Sequence, residues 1–502
     1  MLNVQLKWLI SLKKLLIINC SLLILTSCSI QQKISKSARQ VINDSSLLTA
    51  HLGISIYEPA SGKYWYNYQG DKYFVPASNT KIPTCYAAMK YLGDSLVGLK
   101  YSFSETEFAN DTVLVIKPSG DPTFLHDDFK KQPILNFLAQ QSNSKRQIGF
   151  VDEDWQADMY GNGWSWNDFN ESYLAERSSM PIYGNVINIK LNEPEKRNIK
   201  DSIISIGDKI SLFKTQTPYF DSLLNQYVVG GLPAEVLKSK EPKLIVQRSF
   251  YENSFASRVS NQKFTQANIP FVTEGSLTAQ LILYNDLKIK IDAVLKTRIT
   301  SDPNGYGPFA YRFYSPEFGK KNLRLGTWNK LYSQPTDSLL KPMMHRSDNF
   351  FAEQSLLMVS NERLGVMNDE KIIDTLLKTD FKDLPQRPRW VDGSGLSRYN
   401  LFTPQDFVAI LNKMKNEFGM ERIKVILPTG GTGTISNYYK ADSNYIFGKT
   451  GTLSGVVAFS GFLYTKKGKL LIFSTLVNNH QDSSTAVRRA VEKFLQGIRQ
   501  KY

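Results

Sequence analysis

At 502 residues the chain is too long for one ordinary hydrophobic core, and roughly two or three domains are expected. Its 42% hydrophobic and 21% charged content exclude a wholly disordered or fibrous protein. The formal net charge of +15 favours anionic surroundings, but no dense Lys/Arg cluster with interleaved aromatics marks a nucleic-acid groove, so nucleic acid is not expected as a partner.

Lys7, Lys13 and Lys14 precede an apolar run over residues 15–25 that ends in Leu25-Thr26-Ser27-Cys28. A basic start, a short apolar stretch and small residues before a cleavage point read as an export signal over 1–27, too short and lopsided for a transmembrane span. Leu-Thr-Ser-Cys resembles the lipobox of bacterial lipoproteins, which implies cleavage before Cys28, lipidation of its thiol and attachment to a membrane. An uncleaved signal anchor or a plain signal peptide is the alternative. Ser29 in place of Asp points to the outer membrane under the common sorting rule, with the body facing the periplasm. Residues 28–43 are polar and read as a tether. Cys20 lies in the signal and Cys28 would carry lipid, so Cys85 has no partner for an internal disulfide and reads as a small core residue.

A strand is expected at 51–57, a turn at 60–63 and an alternating aromatic strand at 64–68, together a hairpin. Phe74-Val75-Pro76 then leads into a buried helix that carries Ser78-Asn79-Thr80-Lys81 at its start. From 101 to 271 short strand-like runs dominate, at 112–116, 186–189 and 244–246, with aromatic and glycine residues clustered at 155–166. This stretch reads as one or two mainly β modules inserted in another domain. Helical texture returns at 277–283 and between 336 and 360, where Ser347-Asp348-Asn349 precedes a helix. Residues 392–398, Asp-Gly-Ser-Gly-Leu-Ser-Arg, form a turn, and Thr403-Pro404-Gln405-Asp406 caps a helix at 407–415. Strands follow at 445–448, running into Lys449-Thr450-Gly451-Thr452, then at 456–464 and 470–477, and an amphipathic helix at 484–499. Three antiparallel strands at the end and a hairpin at the start imply one antiparallel five-stranded sheet flanked by helices, in an α/β (α+β) fold. The expected domain is discontinuous, 44–100 and 272–502, with the β-rich insert at 101–271.

Ser78 and Lys81, three residues apart on a helix, share one face, so the amine can reach the hydroxyl. A serine hydroxyl is a poor nucleophile at neutral pH, and a desolvated lysine is one way to activate it. With four histidines and no His/Asp/Glu cluster at ligand spacing, no metal is expected. Gly430-Gly431-Thr432-Gly433 lacks the Lys-Ser/Thr of a phosphate cradle, and no cofactor is expected.

Ser78-x-x-Lys81, Ser347-Asp348-Asn349 and Lys449-Thr450-Gly451 stand in the order that marks class A β-lactamases and penicillin-binding proteins. With Gly120-Asp121-Pro122, Phe350-Phe351-Ala352-Glu353 and residues 392–398, the chain from about 45 to its end resembles the low-molecular-mass class C penicillin-binding proteins, the D-alanyl-D-alanine carboxypeptidase/endopeptidases. The likeness implies a serine transpeptidase/β-lactamase-like domain, interrupted between its first two motifs, that acts on peptidoglycan stem peptides and is acylated by β-lactams. It implies Ser78 as nucleophile, Lys81 as base with a pKa depressed by burial and by Lys449, and Ser347 as proton relay to the leaving amine. Asn349 would hold the substrate amide, and Lys449 and Thr450 the terminal carboxylate. Gly451 would leave room along the strand edge, and the backbone N–H groups of Ser78 and Thr452 would form the oxyanion hole. Ser347 and Asn349 could instead cap the helix that follows, and Lys449 could be a solvated strand-end lysine. At the level of the whole protein, a β-lactamase and a non-catalytic lipid-anchored envelope-binding protein are the alternatives. The first lacks a Glu-x-x-Leu-Asn-like element for a deacylating water, and the intact trio argues against the second.

Overall fold

The structure is a computed structural model; it describes residues 34–502 except 35–37, 40, 107–108, 144–146, 193–212, 218–224, 229–233, 265, 286, 290–292 and 296–323. The expected export signal, and Cys28 with it, lie outside the described residues.

Strands β1 (His51–Glu58) and β2 (Lys63–Tyr68) pair antiparallel and lead, through a 3-10 turn at Ala77–Thr80, into helix α1 (Lys81–Tyr91). Next come β3 (Ser95–Thr106), β4 (Ala109–Pro118), α2 (Pro133–Asn143), β5 (Gln147–Val151), β6 (Val186–Leu191), β7 (Phe213–Thr215) and β8 (Asn225–Val228). The chain continues through α3 (Ala234–Lys238), β9 (Leu244–Arg248), β10 (Ser254–Val259), β11 (Gln266–Pro270), α4 (Leu277–Asn285), β12 (Ala293–Leu295), β13 (Arg324–Leu325) and β14 (Asn329–Pro335). Helices α5 (Thr336–His345), α6 (Asn349–Leu364), α7 (Asp369–Lys378) and α8 (Pro404–Ile426) precede β15 (Ile446–Leu453), β16 (Val456–Tyr464), β17 (Leu470–Asn478) and the last helix, α9 (Ser484–Lys501).

The central sheet has the order β15-β16-β17-β1-β2, antiparallel throughout, and so joins the two ends of the chain as expected. Successive side chains leave a strand on opposite faces. In β16, Val457, Phe459 and Leu463 enter one core and Ala458 and Phe462 the other; in β17, Leu471, Phe473 and Val477 part from Ile472 and Leu476 in the same way. Both faces are covered, which is why these strands are continuous apolar runs in the sequence. On one face lies α9, whose Val487, Val491, Phe494 and Ile498 recur at helical spacing. The opposite face carries α1, α6 and α8 through Ile82, Tyr86, Leu356 and Phe407. Helix α1 is buried from Lys81 to Met89. Its Pro83 falls in the first turn, where a missing N–H breaks no intrahelical bond.

Two expectations are corrected. The expected tether over 28–43 does not stay outside the body: Ile34, Ala38 and Val41 are buried in the α9-side core beside Leu52 and Val487. Spaced by four and three, they make one narrow apolar stripe, diluted in the sequence by intervening polar residues. The insert, placed at 101–271, is wider than that. Strand β3 starts at Ser95 and pairs with β4, β13 and β14, while β12 pairs with β5, so the insert's largest sheet ends only at Pro335. Helix α4 belongs there too: Ala279, Ile282 and Leu283 pack with Ile116, Phe150 and Phe255. Two smaller sheets, β8-β10-β9 and β11-β6-β7, complete the insert's described part.

Candidate active site

The turn at Ala77–Thr80 holds Ser78 half-buried at the surface of α1, with Lys81 completely buried below it. The turn is fastened on several sides. Asn478 clamps the chain just before it, its Oδ1 accepting from the Val75 N–H at 2.8 Å and its Nδ2 donating to the Val75 carbonyl at 3.0 Å. Asn79 Nδ2 donates to Ser460 Oγ (2.7 Å), and Ser460 Oγ to Ser474 Oγ (2.8 Å), which ties the turn to β16 and β17.

Lys81 Nζ donates to three oxygens: Ser78 Oγ at 3.0 Å, Asn349 Oδ1 at 2.6 Å and the Ser394 carbonyl at 2.7 Å. Two of the three are carbonyl oxygens that can only accept, whereas Ser78 is the partner with a proton to give. A neutral amine has two hydrogens and one lone pair. Placing the hydrogens on the two carbonyls leaves the lone pair aimed at the Ser78 hydroxyl.

Ser347 lies between α5 and α6 with φ 62°. The cap of α6 is Asp348, whose Oδ1 accepts from the Phe351 N–H at 3.0 Å. With that position filled by Asp348, Ser347 and Asn349 are left for other contacts, and the capping alternative for them falls away. Asn349 Nδ2 donates to the Tyr173 carbonyl of the insert at 3.1 Å, so the insert reaches the site itself. Ser347 Oγ accepts from Lys449 Nζ at 2.8 Å, and the same amine donates to the Thr450 carbonyl at 2.6 Å. Lys449 is completely buried, so it is not a solvated strand-end lysine.

Burial pulls Lys81 down to about 8, against Asp392, Glu353 and Asp348, which pull it up. Lys449 is driven well below the usual amine range, first by burial, then by Lys81 and Arg488. Burial is thus the first cause of the depression of both amines, and the repulsion between them is felt at Lys449. Burial also pushes the Cys85 thiol up to about 12, in keeping with a core residue.

Strand β15 crosses the turn closely. A Cβ on Gly451 would lie 2.6 Å from the Pro76 carbonyl oxygen and 3.0 Å from the Ser78 nitrogen. The absent side chain thus makes room for the nucleophile's own turn rather than for substrate along the edge. Thr450 and Thr452 meet other partners: Thr450 Oγ1 donates to Thr434 Oγ1 at 2.8 Å, and Thr452 Oγ1 accepts from Arg488 Nη2. Residues 392–398 buttress the site, through the Asp392 carboxylate. It accepts from the N–H groups of Gly395 (2.8 Å) and Ser397 (2.7 Å), from Asn400 Nδ2 (2.8 Å) and from Trp164 Nε1 (3.0 Å). Under it, Glu353 Oε1 accepts from the Ser394 N–H at 2.7 Å, and burial raises Glu353 to about 7, with Asp392 adding and Arg177 opposing.

The predicted residues Ser78, Lys81, Asn349, Ser347, Lys449 and Gly451 therefore converge, and Thr450 and Thr452 flank them. Sequence reasoning missed the Ser394 and Tyr173 carbonyls, Thr434 and Arg488. The first two are backbone atoms, which no residue type announces.

A family model, D-Ala-D-Ala carboxypeptidase 3 (S13), matches residues 34–222 and 327–501. The chain is 23% identical over 469 residues to the D-alanyl-D-alanine carboxypeptidase DacB of Haemophilus influenzae, covering 84% of this chain and 85% of that protein. It is 23% identical over 467 residues to the D-alanyl-D-alanine carboxypeptidase of Actinomadura sp. (strain R39), covering 88% and 80%. In three dimensions it resembles penicillin binding protein 4 (dacB) from Haemophilus influenzae, with TM-score 0.65 and 20% identity over 92% of this chain and 97% of that one.

Proposed function

The chain belongs to the D-Ala-D-Ala carboxypeptidase 3 (S13) family, and from that premise we propose that it is a serine D-Ala-D-Ala carboxypeptidase that works on peptidoglycan stem peptides through an acyl-enzyme at Ser78. Cleavage of cross-bridges, the DD-endopeptidase reaction, belongs to the same proposal, since it breaks the same kind of bond with a different leaving amine. The observation that carries the reading is the Lys81 amine, held by two carbonyls and 3.0 Å from Ser78 Oγ.

Ser78 Oγ attacks the carbonyl of the penultimate D-alanine while Lys81 Nζ takes its proton. The backbone N–H groups of Ser78 and Thr452 hold the oxyanion. Ser347, whose oxygen already accepts from Lys449, relays the proton: it gives its hydroxyl proton to the departing amine of the terminal D-alanine and takes back the one that Lys81 removed from Ser78, so both side chains end the step as they began. Water then attacks the acyl-enzyme and returns Ser78. Asn349 orients the acyl side through its amide. A β-lactam enters the same sequence, and the name of the Haemophilus influenzae penicillin binding protein supports its use here as a probe.

Fluorescent penicillin is expected to label the protein stably, and Ser78→Ala is expected to label not at all. Rapid loss of label would favour a β-lactamase, and absence of label a non-catalytic envelope protein.

Export and lipidation at Cys28, with attachment to the periplasmic side of the outer membrane, complete the proposal. Because Ile34 is already seated in the core, only residues 29–33 would separate lipid from body, roughly 17 Å at full extension. Metabolic labelling with palmitate is expected to mark the chain and to be lost in Cys28→Ala; a variant that is still labelled would sink the assignment.

A further inference from the structure

A carboxypeptidase must read a free C-terminal carboxylate, and a negative charge is best read by an accessible cation with directed donors. Lys449, the residue expected for this, has no exposed surface, and its amine is committed to Ser347 and to the Thr450 carbonyl. Burial and two neighbouring cations further favour its neutral form. The positive charge has to come from elsewhere.

We propose that Arg488, with the Thr452 hydroxyl, binds the substrate's terminal carboxylate at the open edge of β15, resting on the peptidase reading above. Arg488 stands on α9, half-buried, and its Nη2 donates to Thr452 Oγ1. Its guanidinium lies 5.9 Å from the centre of the Tyr438 ring, so it is positioned from two sides. Among the described residues it has no carboxylate at ion-pair distance, whereas its neighbour Arg489 is paired with Glu492. The charge of Arg488 is therefore available to a ligand, and it is near enough to Lys449 to repel it.

The donors fit a carboxylate. Because Thr452 Oγ1 accepts from Arg488, its own proton is directed away from that bond and can be given to one carboxylate oxygen. Remaining N–H groups of the guanidinium can serve the other. Thr434, Tyr438, Thr450 and Arg488, with the buried Val457 and Phe459, line one small cavity of about 20 Å³ next to the strand, room for a water-sized group beside the guanidinium. The edge of β15 is bridged to Thr429 at Phe447, and among the described residues nothing pairs with it from Lys449 onward on that side. A peptide laid along this edge as an added strand runs past Thr450 and Thr452 towards Arg488.

The test compares hydrolysis of an acyl-D-Ala-D-Ala peptide with that of its C-terminal amide. In Arg488→Gln, kcat/KM for the free acid is expected to fall roughly 10- to 100-fold through KM, as for a lost charge-assisted contact. The amide is expected to be unaffected, Arg488→Lys to recover part of the loss, and Arg489→Gln to leave the preference for the acid in place. A general structural defect would lower both substrates alike. If Arg488→Gln keeps the wild-type preference for the acid over the amide, the assignment is overturned. If the wild-type protein neither hydrolyses the acid nor takes penicillin label, it is the peptidase reading underneath that falls.

Discussion

Lys81→Met is expected to lower the rate of penicillin acylation by about a thousandfold or more, the scale on which removal of one member of a nucleophile–base unit acts. Methionine fills the volume of the buried stem, so the loss reports the amine and not a cavity. Lys81→Ala should lose as much activity and more stability, because it adds a cavity to the defect both variants share, Asn349 Oδ1 and the Ser394 carbonyl left without their donor. Lys81→Arg separates charge from basicity. A guanidinium restores the positive charge but stays protonated, so it has no lone pair for Ser78. It is expected to be as inactive as Met, and near wild-type acylation by either variant would remove Lys81 from the base role. The pH profile follows from the same amine. Lys81 titrates near 8 and acts only when neutral, so acylation should fall about tenfold per unit below that point and level off above it. Wild-type acylation that stays flat down to pH 6 would contradict it.

The parts of this site that could be found in the sequence are those set by local geometry. Ser78 and Lys81 are one helical turn apart, Ser347 and Asn349 bracket a cap, and Lys449 to Thr452 sit on a strand whose neighbours are continuous apolar runs. Each relation is fixed within a few residues, so residue types at fixed spacing reveal it. What escaped is long-range or made by backbone. Strand β14 has few apolar residues, and its place in the insert's sheet comes from pairing with β3, more than 200 positions earlier. The stripe of Ile34, Ala38 and Val41 is too narrow to stand out from a polar segment until α9 is in place opposite it. That Lys449 is itself depressed, first by burial, escaped for a related reason: burial belongs to the assembled fold.

Gly395→Ala is expected to be the most damaging small substitution outside the three motifs. Gly395 has φ +85°, and a Cβ there would sit 1.9 Å from the Ala77 carbonyl oxygen and 2.9 Å from Thr80 Oγ1. No side-chain rotation relieves a contact with backbone. Either residues 392–398 or the Ser78 turn must move, and the former are held by the four donors on the Asp392 carboxylate. The turn has little slack of its own, since Ala77 is already at φ 46° and Gly451 closes it from the other side. Displacing Ser78 by about 1 Å from Lys81 is expected to cost roughly a hundredfold in acylation, together with a fall in Tm. Gly419→Ala supplies the comparison. Its φ of +74° and ψ of 158° lie in a region that side chains rarely adopt, but nothing lies within 4 Å of the added methyl, so it should pay only backbone strain, about 1–3 kcal/mol, with acylation unchanged. Equal acylation by the two variants would mean that the 392–398 turn does not hold the nucleophile in place. A selective loss in Gly395→Ala would show that Ser78 is positioned by a chain segment more than 300 residues away in sequence, through the backbone of its own turn.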